Sequence, residues 1–106
     1  MAVDEELADR VRAAVAAREV RWDERRMFGA LVLMVEGEIL AGVRVGELLV
    51  RCAAEESEEL QRRGARVAEM GGRSMGPSWL HVGPDGLDDD AELASWVDAA
   101  LRRPRT

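Results

Sequence analysis

The stretch RMFGALVLMVEGEILAGVRVGELLVRCA, residues 26–53, decides the fold. It reads as one three-stranded meander: an apolar run ending at Val35, the dipeptide Glu36-Gly37, a second run from Glu38 to Val45, the dipeptide Gly46-Glu47, and a third run from Leu48. Two-residue connections hold antiparallel neighbours in a set register, and side chains alternate between faces with period two. A turn at Glu36-Gly37 sets Met34 opposite Ile39, Val32 opposite Ala41, Ala30 opposite Val43 and Phe28 opposite Val45. A turn at Gly46-Glu47 sets Val43 opposite Val50 and Ala41 opposite Cys52. These residues are almost all apolar and make up the expected core face.

The opposite face then carries Met27, Gly29, Leu31, Leu33, Leu40, Gly42, Arg44, Leu49 and Arg51. In this register Arg44 lies beside Gly29 and Arg51 beside Gly42, which leaves a shallow floor for a guanidinium or for an anion bound to it. A sheet face turned to water reads more polar than this leucine cluster, so the face is expected to be covered. A second copy of the chain, the loop 71–77 folding back, a different protein, or a small anion over Arg44 and Arg51 would each cover it. Met27, Leu31, Leu33, Leu40 and Leu49 are therefore the candidate partner or dimer interface, and Arg44, Arg51 and Arg73 the candidate anion-binding residues.

Outward from the meander the pattern becomes helical. Asp4 is an N-cap, followed by acids and by Leu7, Val11, Ala14, Val15 and Arg18 at helical spacing, which predicts a helix over about 5–18. Glu55 to Arg63, acidic first, basic last and closed by Gly64, predicts a short peripheral helix whose one large apolar residue is Leu60. Arg66 to Met70 is expected as a fourth strand and Ser78 to Gly83 as a fifth, with Leu80 and Val82 on one side and Trp79 and His81 on the other. Between them, Gly71 to Pro77 is a loop of turn-tolerant residues. Pro84-Asp85-Gly86 is a turn, Asp88-Asp89-Asp90 a cap, and Leu93, Trp96, Val97, Ala100 and Leu101 mark a last helix ending in Arg102-Arg103-Pro104. The order α-β-β-β-α-β-β-α, with short antiparallel connections, predicts an α+β domain of two layers, with the helices packed on one face of an antiparallel sheet.

Composition bounds the function. The 106 residues suit one domain, 1–106, and 34% charged with 47% hydrophobic residues is globular. The longest apolar stretch is too short to span a bilayer, and the acidic N-terminus is unlike a signal peptide, so a cytoplasmic protein is expected. The formal charge of −6 disfavours direct DNA binding by this domain alone. All fifteen basic residues are arginine, which excludes Schiff-base and P-loop lysine chemistry.

No motif supplies a catalytic constellation. His81 is the single histidine and Cys52 the single cysteine, the latter expected on the core face as a small hydrophobe. Asp88-Asp89-Asp90 lacks the alternating ligand spacing of a calcium loop, and Gly71-Gly72-Arg73 lacks the setting of a phosphate loop. Arg62, Arg63 and Arg66 sit among Glu55, Glu56, Glu58 and Glu59, the pattern of a charge-paired helix face. No cofactor, metal or enzymatic activity is expected.

Several pieces, taken in order, carry a family resemblance: Met27-Phe28-Gly29, the hairpin through Gly42-Val43, Leu49-Val50-Arg51, Gly72-Arg73-Ser74-Met75, Trp79-Leu80-His81-Val82 and Pro84-Asp85-Gly86-Leu87-Asp88-Asp89. Together with the acidic opening Asp4-Glu5-Glu6-Leu7 and the last helix, they resemble the N-terminal domain of the TfoX/Sxy competence-regulator family over nearly the whole chain. The resemblance implies an α-β(3)-α-β(2)-α domain of the secretion-chaperone-like type. It also implies a role in bacterial transcriptional regulation through protein partners such as the transcription machinery, without catalysis, while the apolar outer face leads us to expect a homodimer. Where the family has Met-Phe-Gly-Gly this chain has Met27-Phe28-Gly29-Ala30. The second, C-terminal helical domain of full-length competence regulators has no counterpart in these residues, so DNA contacts made by that domain are not expected of this one.

Overall fold

The computed structural model describes residues 4–27 and 29–103. Helix α1 spans Glu5–Ala16 and is followed by strands β1 (Asp23–Met27), β2 (Ala30–Val35), β3 (Glu38–Arg44) and β4 (Glu47–Arg51). A 3₁₀ turn over Ala54–Glu56 leads into α2 (Ser57–Arg62). Then come β5 (Arg66–Val67), β6 (Glu69–Met70), β7 (Arg73–Ser74), β8 (Trp79–Val82), a 3₁₀ turn over Pro84–Gly86, and α3 (Asp90–Arg102). Six strands form one antiparallel sheet in the order β1-β2-β3-β4-β8-β5, while β6 and β7 pair separately as a small hairpin. This is the expected α+β architecture, with more strands than expected: Arg73–Ser74, inside the expected 71–77 loop, forms β7. The run ahead of Val35 is two strands rather than one, because Met27 pairs with Ala30 and the chain reverses between them, with Gly29 at φ +71°. The expected fourth strand is likewise broken at Ala68 into β5 and β6.

The first meander turn forms at Glu36-Gly37 as expected, with Val35 opposite Glu38 and Met34 opposite Ile39. Both turn residues have positive φ (55° and 81°), which matches the twist of the flanking strands. One step further the register changes, since Leu33 lies opposite Ala41 and leaves Leu40 as an extra residue in β3. A bulge of this kind reverses the sidedness of everything beyond it on the partner strand. Leu31, Leu33 and Val35 therefore point into the core with Ala41 and Val43, and Leu40 turns inward beside Ala41. Ala30, Val32, Met34 and Ile39 go to the outer face instead. The expected positions of Leu31, Leu33 and Leu40 on the outer face are thus overturned: each is 3% exposed or less. The expected pairing of Phe28 with Val45 lies outside the described residues.

The second turn sits at Val45-Gly46 rather than Gly46-Glu47, with Arg44 opposite Glu47 and Val43 opposite Leu48. Moving a turn by one residue changes partner numbers by two, so side chains keep their faces. Leu48, Val50 and Cys52 are buried as a core row, while Leu49 and Arg51 stay outside. The core closes against Leu7, Val11 and Val15 of α1, Leu60 of α2, and Leu93, Trp96 and Val97 of α3.

Arginines fasten this layer of helices. Arg10 of α1 donates to the Leu87 carbonyl at 2.6 Å and to Asp90 at 2.9 Å, tying α1 to the start of α3. Arg18 pairs with Asp98, and Arg102 with Glu56 at 2.7 Å. Arg12 takes both oxygens of Glu24, at 2.7 and 2.9 Å, and so clamps edge strand β1 to α1. That pairing, helped by the Trp22 indole, holds the Glu24 carboxyl well below the usual range, at about 2. Asp4 serves two elements at once. One carboxylate oxygen accepts from the Leu7 amide at 3.1 Å as the α1 cap, and the other from the Gly46 amide at 3.2 Å in the β3–β4 turn. Asp4→Ala should cost about 1–2 kcal/mol, the usual range for a lost cap together with a freed amide. Thermal denaturation should show a melting temperature several degrees lower, and Asp4→Asn should recover part of the loss.

Candidate binding cleft

The outer face of the sheet is built by a continuous cross-strand row. Val32 lies opposite Gly42, Gly42 opposite Leu49, and Leu49 opposite His81. Since residues opposite one another share a face, these four strands present two aliphatic side chains, one bare backbone position and one imidazole side by side. Ala30, Met27 and Arg44 adjoin the row on one side, and Ile39 and Trp79 on the other. The 69–75 segment stands over this floor, with Glu69, Met70, Gly71 and Met75 forming a wall. Floor and wall enclose a largely apolar cleft of about 460 Å³.

The wall is placed by the loop chemistry anticipated between the last two strands. Gly71 and Gly72 both take positive φ (61° and 79°), which reverses the chain tightly between Met70 and Arg73. The Met75 amide donates to the Ala68 carbonyl at 2.8 Å and the Ala68 amide to the Trp79 carbonyl at 2.8 Å, so the base of the hairpin is tied to β8. One of the covers expected from sequence, the 71–77 loop folding back, is therefore present in part, and it leaves the cleft beneath it.

The candidate residues separate into three groups. Met27 and Leu49 line the cleft, and so does Arg44, whose side chain is exposed. Leu31, Leu33 and Leu40 are core residues with no part in this face. Arg51 and Arg73 lie away from the cleft lining. The Arg51 guanidinium stacks over Trp79, 4.9 Å from the ring centroid, with a nitrogen 3.8 Å from Glu38. Arg73 is exposed in the hairpin opposite Met70. The expected glycine-and-arginine floor does not form, because Gly42 faces Leu49 rather than Arg51, and Gly29 occupies a turn.

Sequence reasoning missed Ala30, Val32 and Ile39, which it assigned to the core, and Glu69, which it treated as ordinary strand, while Met70 and Met75 were expected as adaptable packing residues of the kind that suits partner surfaces. The alternation in β8 did place Trp79 and His81 correctly opposite Leu80 and Val82. Cys52 is fully buried with its thiol pKa pushed up by desolvation, the state of an unreactive packing residue. Asp89 caps α3 by accepting from the Ala91 amide at 3.0 Å. Among the described residues no group of three or more His, Cys, Asp or Glu is placed to hold a metal ion. No helix among them is long and apolar enough to cross a membrane.

A six-stranded antiparallel sheet with helices on one face and an apolar cleft on the other defines a small α+β domain. The family model for the TfoX N-terminal domain matches residues 14–103, and the chain belongs to that family. No curated protein and no solved structure matches it.

Proposed function

We propose that this TfoX-like domain is a non-enzymatic regulatory or adaptor module that works through protein–protein contacts in transcriptional regulation in the cytoplasm, as a homodimer. Family membership supports the regulatory class. The observation that carries the contact surface is the placement of exposed apolar side chains: Val45 and Met70, 62% and 53% exposed, are the large hydrophobic residues left in water among those described. Val45 follows the cleft residue Arg44 in the β3–β4 turn, and Met70 forms part of the cleft wall. Methionine suits an exchangeable contact because its unbranched thioether adapts to different partners.

The reading as an anion- or nucleic-acid-binding module through Arg44, Arg51 and Arg73 has less support. Arg51 is engaged with Trp79 and Glu38, and the net charge of −6 opposes a polyanion. The test is a Val45→Asp/Met70→Asp double variant compared with the parent by light scattering and by pull-down with transcription-machinery components. Its melting temperature should change little, since exposed substitutions typically stay within about 0.5 kcal/mol. Loss of the dimer mass and of partner capture supports the proposal. A variant that keeps both the parent's mass and its partners overturns it.

A further inference from the structure

We infer that the cleft is a binding site for a small apolar carboxylate, its hydrocarbon body lying along the Val32–Gly42–Leu49 row and its carboxylate held by Arg44. Four observations converge on this class of ligand. At about 460 Å³ the cleft has the size of a small-molecule site, which typically runs from about 300 to 1,000 Å³. Its floor is rigid sheet, whereas its wall contains Met70 and Met75, side chains that mould to an apolar body.

Gly42 has no conformational reason to be glycine. Its φ is not positive, and a Cβ there would meet Leu49 at 3.6 Å and Ala30 at 4.0 Å, ordinary contacts. A glycine inside a strand weakens it, and it commonly marks a place where something approaches the backbone closely. Here its effect is to deepen the middle of the cleft floor.

The charges then select the head group. The lining holds one guanidinium, Arg44, one carboxylate, Glu69, and the imidazole of His81. Arg44 ends β3 beside the 45–46 turn and is the one cation of the lining, while Ile39 and Trp79 line the other end of the floor. A guanidinium has five donors and takes a carboxylate through two of them. Glu69 repels any further negative charge, so one guanidinium can match a single carboxylate but not a phosphate or a polyanion.

This site shares Met70 with the proposed protein contacts but needs no partner to form. The test is isothermal titration of the whole chain with decanoate below its micelle-forming concentration, with decan-1-ol and inorganic phosphate as comparison probes. Decanoate is expected to bind, decan-1-ol more weakly, and phosphate not at all. Arg44→Gln, with its fold checked by circular dichroism, should weaken decanoate about tenfold, as expected for a lost charge-assisted pair, without affecting decan-1-ol. Gly42→Leu should remove binding of both, and Gly42→Ala, which fits the strand, should weaken both. Absence of decanoate binding, or binding indifferent to Arg44→Gln and Gly42→Ala, overturns the inference. Val45→Asp alone, outside the cleft lining, should retain decanoate binding even where partner capture is lost, which separates failure of the ligand site from failure of the protein-contact proposal.

Discussion

Leu33→Asp should abolish the cooperative unfolding transition, whereas Met34→Asp, one residue along the same strand, should leave a folded domain. Leu33 has no exposed surface and packs in the core beneath α1 and α3, while Met34 is on the outer face and partly exposed. A carboxylate at position 33 would be buried without a partner, a cost of several kcal/mol against a total stability of about 5–15 kcal/mol. The milder Leu33→Ala should lose about 2.7–5 kcal/mol, the range for a leucine removed from a close-packed core. Circular dichroism through a thermal ramp reads all three. If Leu33→Asp melts cooperatively near the parent temperature while Met34→Asp does not, the bulge at Leu40 is misplaced and the faces of β2 are reversed.

Trp96→Ala should produce a loss of comparable size, about 3–5 kcal/mol. Trp96 is 1% exposed, and its indole nitrogen donates to the Gly86 carbonyl at 3.0 Å, joining α3 to the turn after β8. The Arg63 guanidinium lies 4.4 Å from its ring centroid and seals the outer side. Packing here is tight, since a Cβ on Gly86 would fall 2.7 Å from Val82 and 3.6 Å from the indole nitrogen. Trp96→Phe keeps most of the apolar volume but strands the Gly86 carbonyl, and should cost less, about 1–3 kcal/mol. Urea titration followed by circular dichroism should order the three proteins as parent, Phe, Ala. A Phe variant as unstable as the Ala variant would show that the hydrogen bond, and not the ring, holds this corner.

Much of this architecture is legible in local chemistry. Asp4 and Asp89 cap the first and last helices where acid followed by apolar periodicity places them. Glu36-Gly37 turns as a two-residue hairpin, and Leu80 and Val82 face inward by simple alternation. The faces of β3 beyond the bulge and of β4 follow as well, even though the second turn moved by one residue, because that shift preserves parity. Met27 pairs with Ala30, and Gly29 lies in the turn between β1 and β2 rather than in a strand.

The cleft was only half legible. Met27, Leu49 and Arg44 were placed on the outer face by alternation, but Leu31, Leu33 and Leu40 were placed there as well and belong to the core. Ala30, Val32 and Ile39 were given to the core and belong to the cleft. All six errors have one origin. Leu40 is an apolar residue in an apolar strand, so nothing in its identity marks it as the extra residue of a bulge. Both faces of β2 are hydrophobic enough to serve as core, and the tie is broken only by which face meets the helices.

By itself the chain's sequence determined the helices, the order of helices and sheet segments, the caps and the first turn, because those depend on residues a few positions apart: a carboxylate three residues before an amide, a glycine with positive φ, an apolar period of two or of 3.6. What only the tertiary structure decided was which face of β2 became core and what stood over the other. Those outcomes depend on one inserted residue in β3 and on a hairpin some thirty residues further along the chain. Burial against α1 and α3 favours the bulged register over the regular one by the packing of whole side chains, a long-range energy that no local pattern encodes.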